Sequence, residues 1–139
     1  MVNESIKPLT VYKASAGSGK TFTLATEYIR LLVENPQCYR NILAVTFTNK
    51  ATEEMKMRIL SQLYGIWKQL PESDKYLQNI QEKTGLAPNV ISERAGLALN
   101  NLTHNYNYFR VETIDTFFQS VLRNMARELD LTTNLRIGL

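Results

Sequence analysis

Residues 14–21 read Ala14-Ser15-Ala16-Gly17-Ser18-Gly19-Lys20-Thr21, and they sit between two oppositely patterned segments. The run before them, Leu9-Thr10-Val11-Tyr12, is short and apolar, which predicts a buried strand over 9–13. The stretch after them, Phe22 to Leu32, sets Ala25, Tyr28, Ile29 and Leu32 on one stripe at helical spacing. A small residue, four of any type, then Gly-Lys-Thr is the relaxed form of a phosphate-binding loop. Strand, loop and helix in that order is the context the motif requires. A flexible Ser/Gly linker would have no reason to place a lysine and a hydroxyl at the start of a helix.

The chemistry follows from charge. A triphosphate concentrates several negative charges within a few ångströms, and inward-pointing backbone N–H groups of a tight loop can meet them without side-chain bulk. Gly17 and Gly19 permit that close approach. The helix beginning near Lys20 adds its positive N-terminal end. Lys20 is positioned to reach the β- and γ-phosphates, and the Thr21 hydroxyl to ligate Mg²⁺. The expected ATP-phosphate site is therefore Ala14, Ser15, Ala16, Gly17, Ser18, Gly19, Lys20 and Thr21, with ATP and Mg²⁺ as cofactors.

At 139 residues the chain is the size of a single domain or of one piece of a larger one. Its start, Met1 to Pro8, is too polar for a signal peptide. No apolar run approaches the ~20 residues that span a bilayer, so a cytoplasmic location without membrane contact is expected. The formal net charge of +3 is compatible with a nucleic-acid partner without demanding one. The single cysteine, Cys38, falls in the predicted loop 35–40 and cannot form an internal disulfide. With one histidine, His104, the chain lacks the ligands of a zinc site, and His104 reads as a surface or capping residue.

Further along, Ile42 to Thr46 reads as a second strand. A long helical pattern runs from about Lys50 to Leu70, with Met55, Ile59, Leu63, Ile66, Trp67 and Leu70 on its stripe and Pro71 ending it. Residues 73–103 predict one or two helices punctuated by Gly85 and Pro88, the second carrying Ile91, Ala95, Leu99 and Leu102. A third strand is expected over 109–114. A last helix is expected from about Asp115 to Leu129, with Phe118, Val121, Leu122, Met125 and Leu129 facing inward. Strands alternating with helices argue for an α/β fold with a three-layer parallel sheet and right-handed crossovers. The sheet is small beside the helical block at 60–105, which suggests an incomplete domain with a large helical insertion.

Two strand ends carry further polar residues. The second strand leads into Thr46-Phe47-Thr48-Asn49-Lys50-Ala51, and the third into Thr113-Ile114-Asp115-Thr116-Phe117-Phe118. Ligands of open α/β sheets bind at the carboxyl ends of strands. A nucleic-acid phosphate could meet Thr48, Asn49 and the helix start, with a base stacked on Phe47. From spacing alone Asn49 is more simply a helix N-cap, Phe47 a core residue and Asp115 another N-cap.

In their order, the phosphate loop, Thr-Phe-Thr-Asn-Lys-Ala and Thr-Ile-Asp-Thr-Phe-Phe resemble motifs I, Ia and Ic in the N-terminal motor domain of UvrD/Rep-type superfamily 1 DNA helicases. The octamer and Thr-Ile-Asp are closest in style to the RecB/AddA helicase–nuclease branch; UvrD-like enzymes often have His at the position of Asp115. No glutamine motif for reading adenine lies upstream of residue 9. The resemblance covers roughly 9–60 and 108–128. It implies a RecA-like P-loop NTPase fold, ATP–Mg²⁺ bound by Lys20 and Thr21, and single-stranded DNA touched by Phe47, Thr48, Asn49, Lys50, Thr113 and Asp115. It further implies a parent that translocates on and unwinds DNA in recombination or repair, compatible with exonuclease activity and with a helicase–nuclease partner subunit.

The family's motif II, an apolar strand ending in Asp-Glu, has no counterpart here. Glu53-Glu54 lies at a helix start and Asp130 after a helix. The chain is thus expected to be the N-terminal part of the ATP-binding domain, which continues past 139 in the parent. It should be inactive alone and prone to self-association through an unpaired sheet edge. Two other readings share the loop. A nucleotide or nucleoside kinase would need a cluster of lid arginines, which is not evident. A non-catalytic P-loop binding module would lose nucleotide but keep its partner when Lys20 is removed.

Overall fold

The computed structural model describes the backbone of residues 19–137 and the side chains of 21–130. Its elements run α1 (Gly19–Glu34), β1 (Leu43–Thr46), α2 (Asn49–Trp67), α3 (Asp74–Thr84), α4 (Pro88–His104), β2 (Arg110–Thr113) and α5 (Ile114–Ile137). Short 3-10 turns at Pro36–Asn41, Pro71–Ser73 and Tyr106–Tyr108 connect them. The expected strand over 9–13 and loop residues Ala14 to Ser18 lie outside the described residues.

Helix α1 matches its apolar stripe. Ala25, Tyr28, Ile29 and Leu32 are all buried. It ends as Pro36 approaches: Asn35 takes extended backbone, and its side chain accepts a hydrogen bond from the Gln37 N–H. The segment expected as a loop is therefore a 3-10 turn, and it buries Cys38 and Tyr39.

Helix α2 stops at Trp67, three residues short of the expected end at Leu70. The stop is a Schellman motif. The Leu70 N–H donates to the Gly65 carbonyl at 2.8 Å and the Gln69 N–H to the Ile66 carbonyl at 3.2 Å. Gln69 takes the left-handed conformation at φ 58°. The chain has thus already turned before Pro71. Met55, Ile59, Leu63 and Ile66 are buried as expected, whereas Trp67 is exposed. Helix α3 ends in the more usual way, on Gly85 at φ 75°. Pro88 then opens α4 at its first turn, where a missing N–H costs nothing.

The described sheet is two parallel strands, with Leu43 opposite Arg110 and Thr46 opposite Thr113. The rest of the core is helix on helix. Leu24, Ile29, Leu32 and Val33 of α1 meet Ile59, Leu63 and Ile66 of α2, Ile80 of α3, and Ile91, Ala95 and Leu102 of α4. From the strands and their approach, Ala44, Phe109 and Val111 join this cluster. Burial at about 25 cal/mol per Å² of apolar surface makes this cluster the main stabilising contribution. Polar links join the same helices, among them Arg94 to the Val33 carbonyl at 3.0 Å and Arg58 to the Tyr76 hydroxyl at 3.2 Å. Glu27 bridges Lys83 at 2.8 Å and Arg30 at 2.7 Å, tying α1 to α3. Burial pushes the Glu27 carboxyl up, but its bonds to Arg30 and Lys83 outweigh that and hold it below the usual range.

The expectation for α5 is overturned. Phe118, Leu122, Met125 and Leu129 are each more than half exposed, at 54%, 61%, 53% and 62%, and Val121 is only half-buried. The helix meets the described residues mainly where it leaves β2. Its stripe has correct helical spacing but no described element to face.

Candidate functional site

The parallel register brings two of the three sequence motifs together. Because Thr46 pairs with Thr113, the strands end side by side, and Phe47–Lys50 and Ile114–Asp115 leave the sheet at one carboxyl edge.

Each exit is shaped by threonines. Thr46 is buried, and its hydroxyl lies 2.6 Å from that of Thr52, one turn into α2. The Thr52 hydroxyl also donates to the Thr48 carbonyl at 3.2 Å. These bonds fold the 46–48 segment back onto the helix start. The cap of α2 is Thr48, whose hydroxyl accepts from the Ala51 N–H at 3.0 Å. Asn49, offered as a possible cap, is instead the first helical residue, and its side chain is left exposed. Phe47 is 53% exposed, which removes the core reading and leaves its ring available at the edge. Lys50 is exposed beside it.

The exit from β2 repeats the device. The Thr113 hydroxyl accepts from the Thr116 N–H at 3.2 Å, so Thr113 caps α5 and Asp115 does not. Asp115 is exposed in the first turn, where its charge opposes the positive helix end. A carboxylate there repels phosphate and can accept a hydrogen bond only from a donor such as a base amine. By contrast, α2 has no acidic residue in its first turn and carries Lys50 there, so its N-terminus keeps its full positive character. The sequence did not point to Thr52 or Thr116. A threonine four positions after Thr48, and another three positions after the strand-end Thr113, was the available signal.

The remaining motif is only partly in view. Gly19 and Lys20 form the first residues of α1, and the half-buried Thr21 follows in the same turn. No acidic residue occupies that first turn either. A helix start of this kind, opening on a lysine and a threonine, is chemically suited to an anion with a bound divalent cation. Ala14 to Ser18 lie outside the described residues. Among the described residues no group of three or more His, Cys, Asp or Glu side chains could hold a metal ion unaided. Glu53 and Glu54 lie exposed on α2. His104 is exposed at the end of α4, with Nδ1 2.9 Å from the Asn100 carbonyl. Among the described residues no helix is long and apolar enough to cross a membrane.

Comparison with known proteins agrees with the motif order. The family model described as UvrD/REP helicase N-terminal domain matches residues 1–138. An ATP-dependent helicase/nuclease subunit of Thermoanaerobacter sp. (strain X514) is 39% identical over 127 residues, covering 90% of this chain and 8% of that protein. The RecBCD enzyme subunit RecB of Chlamydia muridarum is 54% identical over 52 residues, 37% of this chain and 5% of that protein. RecB of Haemophilus influenzae is 28% identical over 144 residues, 95% of this chain and 12% of that protein. The chain thus spans about a tenth of the length of these relatives. No solved structure gives a significant match. With the family model covering nearly all of it, the chain belongs to the UvrD/REP helicase N-terminal domain family.

Proposed function

We propose that this chain is the ATP-binding, single-stranded-DNA-contacting part of an ATP-dependent DNA helicase that translocates on and unwinds DNA in recombination or repair, of the helicase–nuclease kind. The observation that supports the reading is the pairing of Thr46 with Thr113, by which the two segments proposed to contact DNA leave the sheet at one edge. The names of the relatives, RecB and a helicase/nuclease subunit, support the branch.

In this reading the domain is a RecA-like P-loop fold. Backbone N–H groups of residues 14–19 cradle the ATP phosphates. Lys20 neutralises the β- and γ-phosphates, and the Thr21 hydroxyl completes the Mg²⁺ shell. Phe47 stacks on a base, Thr48 and Asn49 bond a phosphate at the α2 N-terminus, and Lys50 adds charge. Thr113 and Asp115 border the same strand of DNA from α5. The acidic pair that would orient the attacking water is not evident in this chain, so Lys20 and Thr21 form half of an active site.

Steady-state ATP hydrolysis tests this. The 139-residue chain should turn over negligibly with or without single-stranded DNA. The full-length protein containing it should show DNA-stimulated hydrolysis that Lys20→Ala abolishes. Turnover by the chain alone of even ~1 s⁻¹, low in the enzyme range, would contradict the reading. Transfer of phosphate to a nucleoside would favour the kinase instead.

A further inference from the structure

The opposite edge of the sheet carries its own chemistry. Extending the Leu43–Arg110 register back by about three residues brings the end of the Pro36–Asn41 turn beside the Tyr106–Tyr108 turn. There the Arg40 guanidinium lies 4.7 Å from the centre of the Tyr108 ring and 5.7 Å from that of Tyr39. Arg40 Nε also donates to the Tyr39 hydroxyl at 3.3 Å. Lys56 of α2 places its ammonium 5.4 Å from the centre of the Tyr106 ring. Tyr106 is 49% exposed and Tyr108 36%. Both tyrosines are braced from beneath, Tyr106 by Phe109 at 5.7 Å and Tyr108 by Tyr39 at 6.3 Å.

We propose that this amino edge is a second single-stranded nucleic-acid contact, in which Arg40 and Lys56 meet phosphates and Tyr106 and Tyr108 offer faces to successive bases. Interleaved cations and exposed aromatic rings are what a single strand requires, because every base has a face to stack and every nucleotide a charge to neutralise. Among the described residues neither Arg40 nor Lys56 is ion-paired with a carboxylate, so both charges remain open to a polyanion. Arg110 adds less, since it is engaged by Glu112 at 2.9 Å. The buried Tyr39 and Phe109 fix the exposed rings and so lower the ordering cost on binding. Arg and Tyr also anchor protein interfaces, but two cations that no carboxylate pairs among the described residues favour the polyanion. The four-residue strands, at about 3.3 Å per residue, separate this edge from Phe47 by roughly 13 Å, so it is a distinct surface.

The test is fluorescence anisotropy of a labelled oligothymidylate of about 16 nucleotides with the 139-residue chain. Arg40→Gln and Tyr106→Ala should each weaken binding about three- to tenfold, while Tyr106→Phe retains it. The same losses should appear in the Asn49→Ala, Lys50→Ala background, which separates this surface from the carboxyl edge. Arg40→Gln alters an exposed side chain and leaves every buried apolar side chain in place, so its result stands even if Tyr106→Ala unfolds. Unchanged binding by Arg40→Gln would overturn the proposal, and would leave the carboxyl-edge reading intact if Asn49→Ala, Lys50→Ala still weakens it. Equally tight binding of polyglutamate, sensitive to Arg40 but not to Tyr106, would identify an acidic protein partner and also overturn it.

Discussion

Replacing Ile59 by alanine is expected to lower the unfolding free energy by about 2–5 kcal/mol, whereas replacing Leu122 by alanine should change it by no more than about 0.5 kcal/mol. Both residues are large aliphatics on the apolar stripe of a helix, and from sequence they are equivalent. Ile59 is fully buried among α1, α2 and α4, so truncation removes its contacts and leaves a void that rigid helices cannot close. Leu122 is 61% exposed, so truncation removes little that was out of water. A domain's whole stability is commonly about 5–15 kcal/mol, so the first variant should be visibly weakened. Urea unfolding followed by far-ultraviolet dichroism separates the cases through the midpoint at constant slope. A loss of about 2 kcal/mol or more at Leu122 would show that α5 is packed after all.

The second large effect concerns the carboxyl edge. The double variant Asn49→Ala, Lys50→Ala is expected to weaken single-stranded DNA binding by about tenfold or more, because hydrogen bonds to charged groups are worth about 1.5–3 kcal/mol. It should also flatten the dependence of log affinity on log salt by about 0.7 for the one lost cation. Stability should not change, since both side chains are exposed and the cap of α2 is made by Thr48. Anisotropy titrations across a range of salt measure both effects. Binding and slope that match the unaltered chain would reduce the Thr46–Ala51 segment to a strand-to-helix connection.

Element identity is legible from periodicity and punctuation. The stripe Met55, Ile59, Leu63 and Ile66 emerges as a buried face, and Gly85 with Pro88 divides α3 from α4. Boundaries that depend on unusual backbone are not legible. The stop of α2 rests on Gln69 in a left-handed conformation, and glutamine gives no hint of that where glycine or asparagine would. Caps fall one or two residues from their expected places for a related reason. Thr48 and Asn49 are both good capping types, as are Thr113 and Asp115, and only the strand ends decide which residue falls at the cap. The stripe of α5 is correct as a pattern and wrong as a buried face. Periodicity reports that a helix has an apolar face but not whether the chain supplies its cover. The aromatic edge at Arg40 and Tyr106 is invisible in the sequence because its members are 66 positions apart, and only the strand register joins them.

Whether α1 begins at a working phosphate site decides the functional reading. A saturation titration of a fluorescent ATP analogue with Mg²⁺ into the 139-residue chain measures this directly. Saturable binding that Lys20→Ala weakens by about 10- to 100-fold, with the fold intact by dichroism, is the predicted result. Absence of saturable binding by the unaltered chain, or equal binding by Lys20→Ala, would contradict it.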